Sequence, residues 1–243
     1  MKKILAIVLA MALLCITAIG TTLSYFKDSD YDKNVMTVGK VDITQSETDR
    51  DGNSIDNEHL ALYPVTAGPA ADGLVPVENN GVDKFVSVTL ANDSEPAYVR
   101  TVFAFELKKI NGEWQSALGP TKNVRYITKD ADGKPQEGGI DFSQGLRIYL
   151  QTSGRFSTVE DADTVSAFEV GFYNFGKVAD STPRTSLMQV YLDSGVGNAF
   201  TEYVGGSYEV LVVSQAAQAQ GFASADAAFA TVFSVDSITD WFK

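Results

Sequence analysis

Ala97-Tyr98-Val99-Arg100-Thr101-Val102-Phe103-Ala104-Phe105-Glu106-Leu107 is the stretch that decides the fold. Val99, Thr101, Phe103, Phe105 and Leu107 recur at every second position, with Arg100 and Glu106 between them. Successive side chains of an extended chain point to opposite faces, so this spacing predicts a β-strand with one apolar and one solvated face. The pattern repeats on both sides. Val41 and Ile43 alternate with Lys40, Asp42 and Thr44, and Val86, Val88 and Leu90 alternate with Ser87 and Thr89. Further along come Leu146, Ile148 and Leu150; Phe168, Val170 and Phe172; Leu187, Val190 and Leu192; and Tyr208, Val210 and Val212. Asn92-Asp93-Ser94-Glu95-Pro96, Asn111-Gly112, Asp132-Gly133-Lys134-Pro135 and Gly138-Gly139 punctuate these runs. Short strands rich in β-branched and aromatic residues, broken by turn signals and without βαβ spacing, predict an all-β antiparallel sandwich.

Three stretches depart from the pattern. Residues 46–58 are almost wholly polar and read as a solvated loop, and residues 67–82, with Gly68-Pro69, Pro76 and Asn79-Asn80-Gly81, read as a second connector. From Gln215 to Ala230 the chain is rich in alanine, which favours helix. Gly221 interrupts it, and Ser224 is placed to cap a second short helix ending near Phe233. Phe222, Phe229 and Phe233 share one helical face, and Val235–Phe242 is expected to add a turn anchored by Trp241. A single sandwich domain is therefore expected over residues 39–243, with an alanine-rich helical segment near 215–233.

The chain carries 31 acidic and 19 basic residues, a net charge of −12. That balance argues against nucleic acid or anionic lipid as a partner. His59 is the only histidine, which excludes HExxH zinc sites and histidine triads. Neither GxSxG nor a GxxxxGK[ST] phosphate loop occurs. Trp114 and Trp241, the two tryptophans, show no pairing with carboxylates of the kind a glycosidase cleft needs. No catalytic residue is assigned, and the chain is expected not to be an enzyme.

One acidic loop has a metal-like rhythm. Glu47, Asp49, Asp51 and Glu58 stand at positions 1, 3, 5 and 12 of a window with Gly52 at position 6, the spacing of a calcium loop. Glu stands where Asp is usual at position 1, and Ile55 occupies position 9. Asp28-Ser29-Asp30-Tyr31-Asp32-Lys33-Asn34 alternates similarly. A hydrated acidic loop accounts for both, so these four residues stand as calcium candidates behind that reading and no cofactor is assigned.

At the start, Lys2 and Lys3 precede an apolar run from Ile4 to Ile19, then Gly20-Thr21-Thr22-Leu23-Ser24 and an acidic stretch. A positive start, an apolar middle and a small-residue exit predict a secretory signal peptide over residues 1–24. Thr22-Leu23-Ser24 places cleavage between Ser24 and Tyr25; Ala18-Ile19-Gly20 is the second candidate, and an uncleaved membrane anchor is the alternative. Lipid attachment at Cys15 is disfavoured, because Leu14 stands where a small residue is needed. Cys15 is the single cysteine, so the exported chain would be free of disulfides, which fits a Gram-positive bacterium or an archaeon.

Several motifs now combine. Tyr25-Phe26-x-Asp28-Ser29-Asp30 follows the leader, Thr37-Val38-Gly39-Lys40-Val41-Asp42-Ile43 comes next, and Asn92-Asp93-Ser94-Glu95-Pro96-Ala97-Tyr98-Val99-Arg100 joins two strands. With Tyr208–Ala216 and the tract through Gln220-Gly221-Phe222, the chain resembles the TasA/camelysin family. The resemblance implies a jelly-roll-like sandwich, a leader cut by a SipW-type signal peptidase, and an extracellular fibre subunit of a biofilm matrix. It implies as donor a segment at residues 25–38 that inserts as a strand into the neighbouring copy, with Tyr25, Phe26, Val35 and Val38 in contact. Expected partners are copies of the chain itself, the peptidase and other matrix proteins, with the membrane met only through an uncleaved leader. A non-polymerising surface module and a camelysin-like metalloprotease are the competing readings.

Overall fold

The computed structural model describes residues 40–55, 62–119, 123–196, 208–233, 238 and 240–242. All belong to the unit that runs from Gly39 to Lys243. The leader and the candidate donor segment lie outside the described residues.

Eleven strands and one α-helix follow in chain order among these residues: β1 (Ile43–Thr48), β2 (Val82–Leu90), β3 (Ala97–Ile110), β4 (Glu113–Ser116), β5 (Val124–Lys129), β6 (Pro135–Glu137), β7 (Asp141–Gln151), β8 (Phe156–Ser157), β9 (Thr164–Val178), β10 (Arg184–Leu192), β11 (Val210–Gln218) and α1 (Ala225–Val232). They form two sheets, β1-β2-β10-β5-β6 and β11-β3-β9-β7-β8, with β4 paired to β3. All ladders between these strands are antiparallel. The all-β antiparallel sandwich expected from the alternation is the observed fold. Asn111 (φ 53°) and Gly112 (φ 87°) make the tight turn between β3 and β4, a conformation that asparagine and glycine adopt at low cost.

The alternation of β3 sorts its side chains as its spacing predicts. Phe103 and Phe105 enter the space between the sheets, where they meet Val86, Leu187, Val190 and Leu192 of the opposite sheet. Val99 lies in the same layer, against Val88, Leu90 and Val178. Close approach is extreme at Gly171 of β9, where a Cβ would stand 2.5 Å from Ile140 Cγ2 and 2.6 Å from Phe142 Cε1.

Three expectations need correction. The opposite face of β3 is not solvated: Val102 and Ala104 are fully buried, and Arg100 is nearly so. The C-terminal part of the chain covers them, through Ile238, Trp241 and Phe242 on one patch and α1 with Phe229 on another. The polar run at 46–58 is not loop throughout, because Ser46, Glu47 and Thr48 complete β1 opposite Ser87, Val86 and Phe85. The alanine-rich tract is not helical at its start either. Residues 215–218 end β11, since Ala216 packs beside Val41, Ile43 and Val99 and Ala217 lies under Ala228 and Phe229 of α1. Small side chains serve there to let a helix and a strand approach closely. The second half fares as expected: Ser224 caps α1, its Oγ accepting the Ala227 N–H at 3.2 Å. Trp241 is an anchor, packing edge-on against Phe172 at 6.4 Å.

The connector covers the outer face of the other sheet. Its Leu74 and Val75, with Val65 just before it, lie against Ile127, Met188 and Tyr191. A register shift in β10 between Leu187 and Gln189 turns Gln189 toward the connector, and its amide brackets Val75. Oε1 accepts from the Val75 N–H and Nε2 donates to the Val75 carbonyl, both at 2.8 Å.

Candidate assembly edge

A sandwich offers chemistry to a partner where a strand has one neighbour instead of two, because half of its backbone donors and acceptors then lack a ladder. The outermost strands are β1 and β6 in one sheet, β11 and β8 in the other. Three of them are blunted. β6 has three residues and opens on Pro135, and β8 has two. β1 is closed off at one end by its own continuation, since the Ile55 N–H donates to the Glu47 carbonyl at 3.1 Å and the Asp49 N–H to the Asn53 carbonyl at 2.9 Å.

β11 is different. Its nine residues pair with β3 from Val210↔Phe105 to Gln218↔Ala97 without a register shift. The Glu106 N–H donates to the Glu209 carbonyl at 3.0 Å, and the Ala219 N–H to the Pro96 carbonyl at 2.9 Å. Odd-numbered residues therefore bond β3, and alternation turns the backbone groups of Val210, Val212, Ser214 and Ala216 the other way. No described strand pairs with that side. The strand reads Val-Leu-Val-Val-Ser-Gln-Ala-Ala-Gln and carries no charge and no proline, the devices by which natural edges are usually protected. Near its middle the edge passes β1, where Ser214 Oγ donates to Gln45 Oε1 at 2.8 Å. Val210 and Val212 face the interior of the sandwich, and Leu211 and Val213 its outer face.

The residues singled out from the sequence fare unevenly. Ser24, Tyr25, Phe26, Val35 and Val38 lie outside the described residues, as do Glu58, His59 and the Asp28–Asn34 loop. Of the calcium candidates, Glu47 is engaged by the Lys84 ammonium. Asp49 is a turn builder: its Oδ1 accepts from the N–H groups of Asp51 and Asn53, and its Oδ2 from the Asn53 amide. These donors hold its carboxyl below the ordinary aspartate range, the Asn53 amide first among them. Between the candidates, Arg50 turns away to pair with Asp83. Among the described residues no group of three or more Asp, Glu, His or Cys is gathered as a metal site. No helix among them is long and apolar enough to cross a membrane.

The alternation over Tyr208–Ala216 predicts a strand but does not distinguish an edge strand from a central one. The available signal was four successive apolar residues at Val210–Val213, with no charge between Glu209 and Asp226. No protein family, curated protein or solved structure matches the chain.

Proposed function

We propose that the protein is an exported structural subunit that assembles head to tail outside a bacterial cell by strand addition. In this reading the leader is removed near Ser24, and residues 25–38 of one copy pair with the open side of β11 in the next. The observation that carries it is the β11 edge: long, unbroken, uncharged and without a described partner on one side. Backbone bonds along such an edge supply affinity, and alternate side chains supply register. The contact joins different surfaces of the two copies, so it does not close on itself and extends as a filament. Fourteen residues are enough to span the nine of β11. Acidic surfaces keep the copies soluble until the edge is engaged.

Two proline variants test this. The Val212 N–H faces the open side, whereas the Val213 N–H bonds β3. Val212→Pro is expected to leave a folded monomer while abolishing filaments on electron micrographs. Val213→Pro is expected to lower stability itself, by about 3 kcal/mol, through the lost ladder bond. Deleting residues 25–34 should give the Val212→Pro result: a folded chain that sediments as a monomer. Filaments formed by the deleted chain would refute the reading.

A further inference from the structure

Arg100 is the least expected residue on the outer face of the β11-β3-β9-β7-β8 sheet. It is 7% exposed, and its guanidinium lies 4.2 Å from the Phe229 ring centre, 4.6 Å from that of Phe172 and 5.3 Å from that of Trp241. Its Nε donates to Gln215 Oε1 at 2.8 Å. Among the described residues no carboxylate forms an ion pair with it, and neither Nη group has an acceptor. Asp226 of α1 attracts it only at longer range, and burial pushes the guanidinium down to about 10. One donor in the same cluster is stranded: the Trp241 Nε1–H is buried without an acceptor.

Buried cations are normally paired with an anion, and aromatic faces offset only part of the lost hydration. Buried N–H groups of this kind are normally satisfied as well. A nearly buried guanidinium without a paired carboxylate, an unsatisfied indole N–H beside it and aromatic walls around both define the chemistry that is missing. It is an anionic acceptor, planar enough to meet the guanidinium fork, carried on an apolar stem. We propose that Arg100 and Trp241 form a carboxylate-binding site on this face, with Phe172 and Phe229 as its apolar walls and Gln215 holding the guanidinium in place. The site does not depend on the assembly reading. The carboxylate comes either from a small organic acid or from an acidic residue of another polypeptide.

The test is a titration of the ¹⁵N-labelled full chain followed through its two indole N–H signals. Trp114 donates to Glu160 at 3.0 Å and reports only on folding. Acetate, a blocked aspartyl peptide and chloride are compared at equal ionic strength. Saturable movement of the Trp241 signal with acetate supports a site for a small acid. Movement with the peptide alone supports a polypeptide carboxylate. Arg100→Lys should weaken either response at least about tenfold with the Trp114 signal unmoved, because one charge-assisted fork is lost. If that variant does not fold, Trp241→Phe is followed through the Arg100 Nε–H signal, which should respond to carboxylate more weakly than in the parent. The proposal is overturned if neither carboxylate moves the signal, if chloride moves it equally, or if the variants respond like the parent.

Discussion

Both outer faces of the sandwich are covered, and by opposite chemistry. The connector is fixed to its sheet by directional bonds. Gln189 brackets the Val75 peptide and also donates to Asp83 Oδ1 at 2.7 Å. Asp83 receives Arg50 through Nε at 2.6 Å and Nη2 at 2.9 Å, and Arg50 Nη2 returns to the Val75 carbonyl at 2.9 Å. Gln189, Asp83 and Arg50 thus satisfy one another and the Val75 peptide. The C-terminal cover is held instead by area: Ile238, Trp241 and Phe242 spread over Val102, Ala104, Phe168 and Phe172, and Phe229 and Phe233 over Tyr98 and Ala217, around a cation without a counter-ion. The first arrangement fails when one atom is removed; the second weakens in proportion to the surface lost.

The largest expected effect breaks the polar side of this contrast. Asp83→Ala leaves Arg50 and the Gln189 amide facing a vacated carboxylate position, and should cost about 3–4 kcal/mol in urea unfolding. Arg50 is about a third exposed, which keeps the figure from rising further. A loss below about 1 kcal/mol would mean that Val65 and Val75 hold the connector by packing alone. On the other face, Phe229→Ala removes a buried ring from both the helix contact and the guanidinium, with an expected cost of about 3 kcal/mol. Limited proteolysis should then cut the C-terminal segment before the connector; the reverse order would undo the contrast.

The space between the sheets gives an internal reference. Burial raises Tyr126 from 10.0 to about 12. Below pH 10 both folded and unfolded chains keep this proton. Above it the unfolded chain ionises first, so stability should fall by about 2 kcal/mol as pH rises from about 10 to 12. Tyr126→Phe should flatten that slope in part, because burial also raises Tyr173 and Tyr191. An unchanged slope would place the alkaline sensitivity elsewhere. Smallest is Ser224→Ala, which removes the cap of α1 and should cost about 1 kcal/mol. No change in the melting curve would mean that the helix is held entirely by its buried face.

Much of this was legible from residue order. The period-two run at Val99–Leu107 gave the correct interior face of β3, and Asn111-Gly112 gave its turn. Ser224 was readable as a cap because its hydroxyl meets an N–H three residues on, within the reach of local sequence. What escaped depends on distant partners. Ala104 and Val102 looked like spacers on a solvated face, since the Ile238 and Trp241 that bury them lie more than a hundred positions away. Ala216 and Ala217 carried helical propensity that pairing with β3 overrode. Gln189 and Asp83, 106 positions apart, carry no mark that they meet. The candidate edge was half visible: the composition of β11 could be read, but which of its sides stays open is a property of sheet order alone.

The unbroken ladder between β3 and β11 has a mechanical meaning. Pulled along the strand axis, nine aligned residue pairs resist together as a shear joint, whereas force applied across them would open them one at a time like a zipper. A further strand laid along β11 would repeat that joint from copy to copy, turning an ordinary set of backbone hydrogen bonds into a cable loaded in its strong direction.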